Sequence, residues 1–340
     1  MAEPKVTSQD VARLAGVSQS AVSRVFTPGA SASKATIAKV RAAAEKLGYR
    51  PNQLARAMIT GKSRIIGLVV SYLENQFYPA ALERLSEALQ ARGYHILIFM
   101  ASNSRDGIAK VVQDLLDYRV DGIITASVAL SSELSERCSA AGIPVVMFNR
   151  GQPGSGHSSV TSANTEGGRR VADFLVAGGH RRIAHIAGWV GSSTGRDRQT
   201  GFLQGLTHHG AEVVEVIDGM FSRDTAAAAA RDLMALPAPP DAIFVGNDHM
   251  AFAVMDMLRG TLGLRVPEDV SIIGYDDVPM AAWAAYDLTT LRQPVNRMVD
   301  ATVETLLAQI DDPARPAQKI EIEGPLILRG SARKPKGWPE

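Results

Sequence analysis

The 340-residue sequence has a single cysteine, Cys138, so no disulfide can form within the chain and a reducing compartment is expected. No apolar run approaches the roughly 18–20 residues that a membrane helix needs. The first residues, MAEPKVTSQD, lack the apolar core of a secretory leader. These absences lead us to expect a soluble cytoplasmic protein with no membrane partner. Catalytic signatures are missing as well. GWVGSSTG has no lysine to complete a phosphate-binding loop and does not fit G-x-G-x-x-G. GSGHSS places serine near His157, but no nucleophile elbow is present. His208-His209 has no second ligand pair at metal spacing. Asp276-Asp277 invites comparison with a glycosidase pair, but adjacent side chains at a strand end usually diverge. The expectation is a protein that is not an enzyme and carries no cofactor and no metal.

Composition is that of an ordinary globular protein, 46% hydrophobic and 21% charged, and the length implies more than one domain. The net charge of +1 hides an asymmetry. Up to Arg64 there are eleven Lys and Arg against three acids, a net of +8, whereas the remainder carries 25 bases and 32 acids, a net of −7. A basic N-terminal module on an acidic body points to a polyanion partner for the module.

That module is patterned to fold. In TSQDVARLAGV, Thr7 and Asp10 have capping-box spacing, Val11 and Leu14 form an apolar edge, and Gly16 suits a tight turn. Ser18 can cap a second helix with Ala21, Val22 and Val25 inward and Gln19, Ser20 and Arg24 outward. A third helix is predicted from Ser33, with Ile37, Val40, Ala44 and Leu47 on one stripe and Gly48 as its stop. Three short helices with a glycine-bearing turn between the first two describe a helix-turn-helix. Its second helix fits the DNA major groove, where Arg24 can pair with guanine O6 and N7.

TSQDVARLAGVSQSAVSRVF, followed by AAAEKLGYRPNQLARAMITGKSRIIGLVV, resembles the lac repressor/galactose repressor family of bacterial transcription regulators across nearly the whole chain. The segment TPGASASKA departs from the family's Asn-rich turn and Val-Ser start. The resemblance implies DNA contacts at Thr7, Ser18, Gln19, Ser20, Ser23, Arg24, Asn52 and Met58. It also implies a hinge that folds only when two copies meet in the minor groove, with Met58 where the family wedges a leucine. The alternative is that Met58 packs on its partner. The expected division is a DNA-binding domain at 1–50, a hinge at 51–63 and an effector-binding, dimerising core at 64–340.

From Arg64 onward apolar strands alternate with amphipathic helices, which means an α/β fold with parallel sheets and, from the number of strands, two lobes. Ligands bind such folds beyond the carboxyl ends of the strands. By resemblance the core is like a periplasmic binding protein, with lobe 1 at about 64–162 and 293–321 and lobe 2 at about 163–292 and 322–340. The tail RKPKGWPE has no apolar heptads, so a homodimer rather than a coiled-coil tetramer is expected.

The effector candidates are Phe77, Tyr78, Asn149, Arg150, Arg196, Arg198, Phe221, Asn247, Asp276 and Gln293. Asp276 resembles the family aspartate that grips ligand hydroxyls, and Arg198 its cleft arginine. Phe77, Tyr78 and Phe221 are stacking candidates, with core packing as the alternative for each. Arg196 is less usual in the family and reads first as a solvated helix-start residue. Ala163-Asn164 stands where the family often has Asp-Asn, so effector analogy fails at that point. Three guanidinium groups around one ligand favour an anion, since uncompensated buried charge is costly. The expected function is a repressor of metabolic genes that binds operator DNA and responds to a carbohydrate-type effector, a sugar acid or sugar phosphate. A cytoplasmic sugar-binding protein without DNA function is the alternative.

Overall fold

The computed structural model describes residues 6–27, 30–50, 62–101, 105–128, 132–152 and 154–338. It divides into two units, Met1–Ser63 and Arg64–Glu340.

Among its described residues the first unit holds three helices, α1 (Ser8–Ala15), α2 (Gln19–Val25) and α3 (Lys34–Leu47). Local chemistry sets their ends. Thr7 and Asp10 form the reciprocal capping box, and Gly16 takes φ 65° to stop α1. Ser18 and Ser33 accept from the third residue of α2 and α3, and Gly48 closes α3 at φ 64°. Val11, Val22 and Val40 are fully buried at the centre of a small core. Leu14 departs from the inward edge that its spacing suggested: it is 46% exposed.

The second unit contains two six-stranded sheets. Lobe 1 is built on β1 (Ile65–Val70), β2 (His95–Met100), β3 (Gly122–Ala126), β4 (Val145–Phe148), β5 (Ser158–Ser162) and β11 (Lys319–Ile322), in the order β11-β5-β4-β3-β1-β2. Lobe 2 uses β6 (Ile183–Ala187), β7 (Val213–Asp218), β8 (Ala242–Val245), β9 (Ser271–Asp276), β10 (Thr289–Arg292) and β12 (Leu326–Ile327), in the order β12-β10-β9-β8-β6-β7. Every pairing is parallel except β10 with β12. The chain crosses between the lobes three times: after β5, after β10 and after β11. The helices α4 (Phe77–Gln90), α5 (Arg105–Asp117), α6 (Ser132–Ala140) and α11 (Val295–Asp311) serve lobe 1. Those of lobe 2 are α7 (Asn164–Ala177), α8 (Ser193–His208), α9 (Arg223–Met234) and α10 (Asp248–Asp256).

The central strands β1, β3, β4, β6, β8 and β9 are buried almost throughout, as expected of strands covered on both faces. Glycine lets α7 and α8 approach closely, since a Cβ on Gly201 would lie 1.8 Å from the Thr165 carbonyl oxygen. α8 carries the cleft arginine, so this packing positions the site. Among the described residues no helix is long and apolar enough to cross a membrane, and no group of His, Cys, Asp and Glu could hold a metal ion.

Candidate functional site

In the first unit, α2 presents Gln19, Ser20, Ser23 and Arg24 on its exposed side while Val22 is buried. Gln19 Nε2 donates to Ser8 Oγ at 2.9 Å, and the Ser18 and Ser20 hydroxyls lie 2.9 Å apart. Among the described residues Arg24 is tied only to the Ser20 carbonyl through Nε, at 3.4 Å, and its side chain is exposed. Thr7 and Ser18 act as helix caps. Asn52 and Met58 lie outside the described residues.

The second unit collects strained backbone at the carboxyl ends of its strands. Ser127 after β3, Asn149 after β4, Phe221 beyond β7 and Asp276 at the end of β9 have φ of 68°, 66°, 54° and 126°. Non-glycine residues in this region cost energy and gather at ligand clamps.

At the centre, Arg198 is 3% and Asp276 4% exposed. Arg198 Nε donates to Asn164 Oδ1 at 2.9 Å, one Nη to the Gly246 carbonyl at 2.6 Å, and the other to Asp276 Oδ1 at 3.4 Å. Its guanidinium sits 3.6 Å from the Tyr275 ring centroid. Asp276 also accepts from Gln293 Nε2 at 2.6 Å and from Asn75 Nδ2 at 3.1 Å. Asn75 follows β1, so this last bond joins the lobes.

Behind Asp276 lies a second buried carboxylate, Asp248. It accepts from Thr290 Oγ1 at 2.5 Å and from the Val278 N–H at 3.0 Å. Burial, and then the negative charge of Asp276, push the Asp248 carboxyl up to about 7. Burial raises the Asp276 carboxyl too, but Arg198 beside it opposes the rise. Arg198, Gln293 and Asn75 all donate to Asp276, which favours its charged form.

The remaining candidates divide. Asn149 Nδ2 donates to the buried Tyr78 hydroxyl at 3.2 Å. Arg150 donates to the Ser127 carbonyl at 3.0 Å and lies 5.6 Å from the centroid of Phe221 in the other lobe. Among the described residues, three cleft atoms are buried without a hydrogen-bond partner: Arg150 Nε, Asn149 Oδ1 and Gln293 Oε1. Phe77, by contrast, is buried and stacks on Phe148, 6.1 Å between centroids, which is a packing role. Asn247 Oδ1 caps α10 through the Met250 N–H. Arg196 does not join Arg198 in the buried cluster: its side chain is exposed and bonds to the Val190 carbonyl at 3.1 Å. One turn of α8 should keep i and i+4 together, but positions 196 and 198 are two residues apart and diverge. The picture of three convergent guanidinium groups is thus corrected. One is exposed, one is compensated by Asp276, and Arg150, half-buried in the cleft, is hydrogen-bonded to a carbonyl with no carboxylate partner among the described residues.

Sequence reasoning missed Asn75, Asn164, Asp248 and Tyr275 as members of the cluster. Asp248 had a signal, its place just beyond β8. Asn75 had none, because its partner Asp276 is 201 residues away.

Comparison with known proteins matches both units. Residues 7–52 match the family described as bacterial regulatory proteins, lacI family, and residues 172–332 match a periplasmic binding protein-like domain. The repressor PurR of Vibrio campbellii is 30% identical over 331 residues, covering 96% of this chain and 99% of that relative. The ribose operon repressor of Escherichia coli is 32% identical over 332 residues, covering 96% and 99%. The lac repressor dimer bound to operator and the anti-inducer ONPF superposes with a TM-score of 0.87 at 27% identity, covering 96% of this chain and 99% of that one. A regulator solved with cellobiose is 32% identical with a TM-score of 0.73, covering 96% and 100%. This chain therefore belongs to the lacI family of bacterial regulatory proteins, which are transcriptional repressors rather than enzymes.

Proposed function

We propose that the chain is a dimeric repressor that reads an operator through α2, and that a polyhydroxylated effector carrying an acidic group, a sugar acid or sugar phosphate, sets its operator affinity. The trio of unpartnered cleft atoms carries the effector reading. Asn149 Oδ1 and Gln293 Oε1 are acceptors that hydroxyl donors would satisfy, and Arg150 Nε is a cationic donor that a carboxylate or phosphate would satisfy. Leaving such groups buried and unpaired costs roughly 1–3 kcal/mol each, so a ligand that pairs them gains affinity. Phe221 under Arg150 adds an apolar surface for a ring. A neutral polyol is the second reading, and it draws on Arg198 being already compensated by Asp276.

Dimerisation is supported by edge strand β2, which exposes Ile98 and Met100, 51% and 52% accessible, along an unpaired edge. The lac repressor relative is a dimer on its operator.

The test is a thermal-shift screen of matched sugars, sugar acids and sugar phosphates, followed by calorimetric titration. A ligand at about 100 times its dissociation constant should stabilise the protein by about 2.7 kcal/mol. The acid should bind more tightly than its neutral counterpart, and Arg150→Ala should remove that preference. Tighter binding of the neutral member, or an acid preference unchanged in Arg150→Ala, contradicts the acidic effector.

A further inference from the structure

Asp276 is already held from both lobes. Its Oδ1 accepts from Gln293 and Arg198, and its Oδ2 accepts from Asn75. A carboxylate offers about four acceptor positions, so three donors leave room for one more. An effector that grips Asp276 with two neighbouring hydroxyls must therefore displace a donor.

The three donors differ in how firmly they are held. Gln293 makes the shortest bond, 2.6 Å, and its backbone N–H donates to the Asp276 carbonyl as well. Arg198 is charged and anchored by Asn164, the Gly246 carbonyl and the Tyr275 ring. Asn75 offers a neutral amide, which forms a weaker bond to a carboxylate than a guanidinium does. Its bond, at 3.1 Å, is shorter than the 3.4 Å of Arg198, but it is not reinforced by charge. Its Oδ1 accepts from the Phe77 N–H at 3.0 Å, which fixes it at the start of α4 in lobe 1. A cavity of about 150 Å³, lined by Glu74, Asn75, Gln76, His249, Val278 and Met280 among others, lies beside it and can receive a displaced side chain.

We infer that Asn75 is the exchangeable partner of Asp276: it competes with the effector for Oδ2, and effector binding breaks a direct bond between the lobes. The inference rests on the effector reading above. It gives Asn75 a positioning role in coupling occupancy to lobe contact, since an effector shifts the lobe equilibrium only by its different affinity for the two arrangements. The amide is the required group, because a carboxylate at position 75 would face Asp276 as a like charge.

The test has two arms on the full-length chain. In the first, spin labels at Glu136→Cys on α6 and Gln204→Cys on α8, both exposed positions, report the distance between lobes. The labelled chain is diluted in unlabelled chain, and the native Cys138 is buried. Asn75→Ala and Asn75→Asp should each populate longer distances than the parent. Unchanged distances in Asn75→Ala overturn the inference. In the second arm, D-glucose, D-gluconate and glucose 6-phosphate are titrated into the parent and Asn75→Ala. A probe that binds the parent should bind Asn75→Ala more tightly, and weaker binding would make Asn75 an effector contact rather than a competitor. If no probe binds either protein, the proposed effector class fails while the distance arm still decides the role of Asn75.

Discussion

Replacing Arg198 with alanine separates two roles that the sequence alone could not distinguish. If Arg198 is an open cleft cation, its loss removes ligand affinity and little else. The structure makes it a buried clamp instead, joined to Asn164, the Gly246 carbonyl, Asp276 and the Tyr275 ring. Truncation leaves Asp276, 4% exposed, with only the amides of Asn75 and Gln293. Removing one partner of a buried ion pair typically costs about 3–5 kcal/mol. That is a large share of the roughly 5–15 kcal/mol that holds a native protein together. At roughly 2–4 °C per kcal/mol for a large domain, the melting temperature of the core should fall by about 6–20 °C. The assay is calorimetric or circular-dichroism melting at neutral pH. The double variant Arg198→Ala with Asp276→Asn removes both charges and should recover part of the loss, with a coupling of about 0.5–3 kcal/mol. A cost below about 1 kcal/mol for Arg198→Ala, with strict additivity in the double variant, would refute the clamp.

Further outcomes follow from the same geometry. Asp248, raised to about 7 by burial and by Asp276, binds its proton more tightly folded than unfolded. Its contribution to stability is therefore full below about 4, its ordinary carboxylate range, and is lost as pH rises through about 7. The stability gap between the parent and Asp248→Asn should shrink over that window, and a gap constant with pH would contradict it. His185, lowered to about 4 by burial, titrates with the opposite sign but is common to both proteins, so it cancels in the difference. Gly201→Ala should sharply destabilise the core, because its Cβ would meet the Thr165 backbone at 1.8 Å, whereas Gly260→Ala, with nothing within 4 Å, should be neutral or stabilising; equal melting temperatures would contradict the close packing of α7 on α8. Apart from that geometry, we propose from the family resemblance that Met58 is the wedge: Met58→Gly should then reduce both operator bending and operator affinity while leaving the dimer intact, and undiminished bending in a gel-mobility assay would remove that role.

The DNA module was legible because its determinants are short-range. A cap, a turn glycine and a three-residue spacing act within one helical turn, and Thr7, Gly16, Ser18, Ser33 and Gly48 all occupy the roles their spacing implied. Leu14 was misread because a three-residue spacing says which residues share a face, not how far a third helix covers it. In the core, apolar runs such as IIGLVV and AIFV announced their strands. The strand SSVTS did not, since serine and threonine carry no apolar signal. Its burial is made tolerable by bonds such as that of Ser158 Oγ, which accepts from Gln309 Nε2 and from the Gln318 N–H. The site was half legible. Strand ends identified Asp276, Asn149 and Asn247, but not whether a polar group served the ligand or the fold. Asn247 proved to be a helix cap, and Arg198 is engaged with the protein on all sides. Asn75 became visible only when the two lobes were brought together.

On the proposed function, α2 reads sequence in duplex DNA. Selection of random duplexes by the full-length chain, compared with selection by Arg24→Ala, tests it most directly. The parent should enrich a pseudo-palindrome matching a symmetric dimer. Arg24→Ala should bind that sequence about 1–3 kcal/mol more weakly and lose preference at one symmetric guanine position. Failure of the parent to enrich any sequence, or an equal loss by Arg24→Ala on selected and random duplexes, would contradict the account.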